Sequence, residues 1–253
     1  MTSTRRLALA AGVFYLLTFL FSIPAYFLYE PVLIDPAYIV GGGGADTRII
    51  GGSVLEMLTA LAGIGTAVAA YPVIRRQSEA ASLGFVTTRI YEAAVMMIGV
   101  IALLAIVSIR QEGPVGGSDA AGMTAVGQML VAVRDHTARL GPGLAPALNA
   151  LCFGYVLYRS RLVPRIIPAL GLIGAPLLLA SVLGRIFGLI GDQSAFAAIA
   201  LPPIFFWELS IGLWMTFKGF NREALAALGF DRRATDPSSA PGSSPTVVAD
   251  GDA

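Results

Sequence analysis

The chain holds one histidine, one cysteine and few charges. Asp, Glu, Lys and Arg make up 13% of its 253 residues, about half the share of a soluble domain. Each scarcity excludes a chemistry. A lone histidine, His136, cannot build a His-rich metal centre. A lone cysteine, Cys152, closes no intrachain disulfide and no multi-cysteine metal site, and its place in an apolar stretch gives it a packing role. The net charge of +1 offers no field for nucleic acid. His-Glu-x-x-His and Gly-x-Ser-x-Gly are absent, as are the arginine spacing of a voltage sensor and paired Asp-rich segments for magnesium diphosphate. No cofactor is expected.

What the chain has instead is apolar length. Hydrophobic residues make up 56%. Runs of about 20 such residues recur, the length that crosses a hydrocarbon core of about 30 Å. They fall at roughly 7–29, 49–74, 83–109, 142–158, 167–190 and 197–217. In lipid each backbone must satisfy its own hydrogen bonds, so each run reads as a helix. The predicted fold is all-α: a polytopic membrane protein, a bundle of six transmembrane helices with an amphipathic outer segment before the fourth span. Arg5-Arg6 ahead of the first run resembles the start of a signal peptide. That run is long enough to span and shows no small-residue cleavage site, so it reads as a retained anchor.

Basic residues set the orientation. With the N-terminus inside, Arg5, Arg6, Arg75, Arg76, Arg159, Arg161, Arg165, Lys218 and Arg222 all lie on the cytoplasmic side. Six spans then return the C-terminus to that side of a bacterial plasma membrane. Residues 1–222 form the transmembrane domain. Residues 223–253 form a cytoplasmic tail, disordered from about 234 because it is Pro, Ser, Gly and Asp with almost no large apolar residue. Gly41–Gly44 lack the Lys-Ser/Thr of a phosphate loop and read as a flexible linker, as does the loop QEGPVGGSDAAG.

The segment before the fourth span carries the only histidine, His136, and a cluster of charges, Arg134, Asp135 and Arg139. At helical period Met123, Val126, Leu130, Val133 and Leu140 share one face, and Gln128, Arg134, Asp135 and Arg139 lie elsewhere. The segment lies either flat in the outer interface with charges toward headgroups or dips in as a re-entrant element, and its functional reading is a lid over a polar cavity. Gly141-Pro142-Gly143 then breaks the helix.

Ionisable residues inside the spans are costly and usually face the bundle interior. Here they are Glu56, Arg89, Glu92, Arg185 and Glu208, with Asn149 beside them. Arg89 and Glu92 are three apart and can pair on one helix face. At 1.5 Å per residue, all but Arg89 fall at depths compatible with one outward-opening cavity, beneath the segment carrying Asp135, His136 and Arg139. These nine residues are the candidate ligand-binding positions. Three functions fit. The cavity binds or moves a small, partly apolar molecule. Alternatively, one of Glu56, Glu92 and Glu208 serves as a buried general acid on a lipid or isoprenoid. Or the charges only lock a structural or regulatory subunit together. Membrane lipids and a small molecule of unidentified class are the implied partners, nucleic acid is not, and the oligomeric state is left open.

Several segments together resemble one family: RLALAAGVFYLLTFLFSIPAYFLYEPVL, the Glu56 span ending YPVIRRQ, RIYEAAVMMIGV, LGPG, LYRSRLVPRIIPALGLIG and WELSIGLWMTFKGF. They are similar to the bacterial integral-membrane family known as domain of unknown function 4386, over roughly residues 5–222. The resemblance implies a multi-span membrane protein and no particular reaction. In the family pattern an aromatic often follows the aspartate. His136 stands there instead.

Overall fold

The computed structural model describes residues 2–35, 37–41, 45–113, 119–191 and 194–230. The glycine linker at 42–44, most of the loop at 114–118 and the tail from 231, including the segment expected to be disordered, lie outside them. The described residues form helices joined by turns, with no strand. Six helical stretches are long and apolar enough to cross a membrane, as the apolar runs predict.

α1 (Ser3–Ile34) and α2 (Asp46–Ile74) form a long antiparallel pair. Its contact is made by small residues: a Cβ on Gly52 would lie 2.7 Å from the Tyr29 ring, and one on Gly65 2.9 Å from Phe14. Without a hydrophobic drive between helices in lipid, such close approach supplies the packing energy. α3 (Glu79–Glu112) begins at Ser78, whose hydroxyl accepts from Ala81 N. Its 34 residues rise about 51 Å, well beyond the hydrocarbon thickness.

The fourth stretch differs from expectation. α4 (Ala120–Leu140) starts at the Asp119 cap, which accepts from Gly122 N at 2.8 Å. It does not lie flat in the interface. It runs back down α3: Gly99 faces Thr137 and Arg134, and Gly141 faces Val95. After the Gly-Pro-Gly turn the chain continues through α5 (Ala145–Asn149), one π-helical turn (Ala150–Gly154) and α6 (Tyr155–Ser160). Cys152 Sγ packs there against Gly84 of α3. Residues 120–160 are thus one interrupted span.

The buried face of α4 is also not the apolar one. Met123, Gly127, Arg134 and Thr137 are buried, while Val126, Val133 and Leu140 look outward. The surroundings are lipid, so the apolar stripe belongs outside, and the small and polar side chains turn inward to α3, Ile39 and Glu56 of α2.

α7 (Ile166–Ile186) ends four residues before the apolar run does. Gly188 adopts φ +69°, and Leu189 N bonds back to Gly184 O. α8 (Ala195–Phe217) packs on α7 and closes against α1. There a Cβ on Gly171 would meet the Trp207 ring at 2.7 Å, and one on Gly12 would meet Thr216 N at 2.5 Å. A short α9 (Arg222–Ala227) folds beneath the bundle, with Asn221 N donating to Leu162 O at 2.8 Å. The main core runs from Ala8 and Tyr15 through Phe85 and Phe153 to Trp207, and a smaller one gathers Tyr29, Ile49, Leu103 and Met123 at the opposite end.

Candidate functional site

Between the two cores lies a chain of buried charge. Its first group joins α1, α2 and α4. The Tyr29 hydroxyl stands 2.5 Å from Glu56 Oε2 and 2.7 Å from Gly52 O. Arg134 Nη2 donates to the same Glu56 oxygen at 3.1 Å, and its guanidinium lies 5.0 Å above the Tyr29 ring. The second group joins α1, α3, α5 and α8. Arg89 Nη1 donates to Glu92 Oε2 at 2.8 Å, and Nη2 to Glu208 Oε1 at 3.1 Å. Asn149 Nδ2 donates to Glu92 Oε2 at 3.2 Å, and the Thr88 hydroxyl bonds Asn149 Oδ1. Arg89 packs over the Tyr15 ring at 4.9 Å. Such placement is costly without partners, and here every charge has one.

Both groups open on one cavity of about 370 Å³. Its wall carries Glu56, Arg89, Glu92, Arg134 and Glu208. Three carboxylates face two guanidinium groups, so the ionised wall carries 2 − 3 = −1 charge. The cavity sits in the half of the bundle away from the chain's N-terminus. In the other half α1 and α8 are tightly packed, with Gly212 against Tyr15 and Leu16. Phe19 and Phe205 then meet edge to face at 5.4 Å. Beyond them the cavity is flanked by Ile23 and Tyr26 of α1 and Leu201 of α8, exposed by 50, 67 and 57%. Its rim is apolar and faces sideways.

Of the nine sequence candidates, the structure brings five together: Glu56, Arg89, Glu92, Asn149 and Glu208. Arg89 joins them although its Cα lies deeper, because its long side chain carries the guanidinium toward Glu92 and Glu208. Four candidates do not join. His136 is exposed on α4 and caps nothing in this cavity, since Arg134 and Thr137 take the inward face. Asp135 is exposed and lines a separate pocket with Asp35 and Tyr38. Arg139 is half-buried outside the cavity wall. Arg185 sits near the end of α7, which contributes nothing to the wall, and its Nε donates to Ser181 O at 3.4 Å. Three partners were not among the candidates. Arg134 lies off the apolar stripe, on the face that turns inward, and Tyr29 and Thr88 are common span residues with no sequence mark. No group of three metal-ligating side chains occurs among the described residues.

At the far end a second cluster pins the segment at 37–41 to α2 and α3. Asp46 pairs with Arg110 at 2.5 Å and accepts from the Tyr38 hydroxyl at 2.8 Å. Burial first, then the Asp46 carboxylate, pushes the Tyr38 hydroxyl up to about 12, so it stays a neutral donor.

Fold and site together define a six-span α-helical membrane protein with an ion-paired, laterally rimmed cavity. The chain belongs to the family described as a domain of unknown function, DUF4386, whose model matches residues 10–219. Comparison with curated proteins and with solved structures finds no match to either.

Proposed function

We propose that the protein binds or moves a small, partly apolar molecule, which reaches the cavity sideways from the bilayer between α1 and α8. The observation that carries this is the cavity itself. Its polar wall is assembled from α2, α3, α4 and α8, and its rim is apolar and exposed. Ion pairs that served only to lock the bundle would be packed shut. These open on about 370 Å³, within the usual size of small-molecule sites. The excess carboxylate favours a ligand whose polar end donates hydrogen bonds or carries positive charge. Its apolar remainder lies along Phe19, Ile23 and Phe205. The same reading keeps the end carrying Arg5, Arg75 and Arg76 in the cytoplasm, with the cavity in the opposite leaflet. The embedded-enzyme alternative uses the same carboxylates and gains no separate observation.

The test is native mass spectrometry of the protein purified in mild detergent. The wild type is compared with Glu208→Gln, which alters the wall, and with Leu201→Trp, which narrows the rim at an exposed position. A bound species present in the wild type and depleted in both variants supports the reading. A wild type without a bound species, or one retained equally in all three, overturns it.

A further inference from the structure

The opposite end of the bundle holds a second site with different chemistry. Arg5, Arg75, Arg76, Lys218 and Arg222 converge from α1, the end of α2, the end of α8 and the start of α9 on a cleft of about 930 Å³. Among the described residues, no carboxylate lines it. None of the five makes an ion pair among the described residues. Two of them are structural. Arg5 donates to the carbonyls of Met215, Thr216 and Phe217 at 3.1, 2.7 and 3.3 Å, capping the end of α8. Arg76 donates to Leu228 O and Gly229 O and stacks on the Phe230 ring at 3.9 Å, holding the segment after α9. The other three, Arg75, Lys218 and Arg222, are exposed. The N-terminus of the 32-residue α1 adds the positive end of its dipole and its unbonded N–H groups.

A basic wall of this kind repels itself until an anion enters. The cleft is not purely polar. Leu7, Pro72, Leu225 and Phe220 form apolar walls, and Leu7 and Pro72 belong to the transmembrane spans. Phosphate oxygens match the arginines, and the apolar walls match a chain attached to that phosphate. We propose that this cleft binds the phosphate headgroup of an anionic phospholipid, with Arg75, Lys218 and Arg222 on the phosphate and the acyl chain leaving past Leu7 and Pro72. The inference is independent of the cavity proposed above, which lies in the other half of the bundle and has the opposite charge.

The full chain in detergent is titrated with phosphatidylglycerol, with phosphatidylcholine and with inorganic phosphate, reading bound lipid by native mass spectrometry and thermal stability alongside. The neutral variant combines Arg75→Gln, Lys218→Gln and Arg222→Gln, and leaves Arg5 and Arg76 in place. A charge-keeping variant combines Arg75→Lys and Arg222→Lys. The expected result is preferential binding of phosphatidylglycerol by the wild type. Each basic residue near an anionic headgroup contributes roughly a fivefold affinity. The neutral variant therefore loses about a hundredfold, and the lysine variant keeps most of it. Equal binding of phosphatidylcholine, or unchanged phosphatidylglycerol binding in a folded neutral variant, overturns the site. Stabilisation by inorganic phosphate equal to that by phosphatidylglycerol overturns the lipid assignment in favour of a soluble phosphate compound.

Discussion

Replacing Arg89 by methionine is the sharpest perturbation of the bundle. Arg89 is 3% exposed and donates to Glu92 and Glu208 at once. Removing it leaves two carboxylates facing each other across the cavity with no cation between them. Breaking one buried pair from one side costs about 3–5 kcal/mol. Two stranded carboxylates, side chains 11 and 15% exposed, place Arg89→Met at the upper end of that range. On the scale of a 150–250-residue chain this is a fall in Tm of roughly 10–20 °C. Glu208→Gln leaves Arg89 its Glu92 partner and costs less, about 1.5–3 kcal/mol for one charged hydrogen bond. The decisive variant combines Arg89→Met with Glu92→Gln and Glu208→Gln. It removes all three charges, so most of the stability returns. The assay is thermal unfolding in detergent, followed by the fluorescence of Trp207 and Trp214. If the triple variant unfolds at the same temperature as Arg89→Met alone, uncompensated charge is not what the arginine prevents, and the reasoning fails.

Other outcomes follow from single contacts. Gly171→Ala drives a Cβ to within 2.7 Å of the Trp207 ring, and overpacking of this kind costs about 1–3 kcal/mol, measurable in the same unfolding assay. His136→Ala changes stability by less than about 0.5 kcal/mol, as at other exposed positions, and leaves occupancy of the cavity as in the wild type. Loss of the bound species in that variant would return the histidine to the site. Folding raises the Tyr38 hydroxyl from 10 to about 12. Its contribution is therefore complete below pH 10 and lost between pH 10 and 12. Spectroscopic titration of the phenolates should show a late component near pH 12 that Tyr38→Phe removes.

The six helices are legible in the sequence because apolar length is the only requirement lipid sets on a span. The Arg89–Glu92 pair is legible too, as a spacing of three on one helix. The orientation of α4 is not. An amphipathic pattern read by the rule for soluble proteins turns Val126, Val133 and Leu140 inward. In a bilayer the exterior is apolar as well, and the informative residues are the small ones: Thr137, which lets α4 approach Gly99 of α3, and Gly127, which lies against Ile39. Arg134 lies on their face and His136 does not. Depth measured along the helix also misplaces Arg89, since it locates the Cα rather than the guanidinium. The partners Tyr29 and Thr88 are fixed only by the tertiary meeting of α1 with α2 and of α3 with α5.

The pairing of these charges has a consequence for how the chain is made. Arg89 and Glu92 emerge from the ribosome together and can neutralise each other as α3 inserts. Glu56 is different, because its arginine lies 78 residues further on. At 5–20 residues per second, α2 waits roughly 4–16 s for that partner. During that interval Tyr29, already synthesised in α1, is the polar neighbour within reach. Glu208 arrives with the last span, 119 residues after Arg89, so the ion network is completed only when α8 closes on α1. A nascent chain stalled before α8 would carry every arginine of the network and lack its final carboxylate.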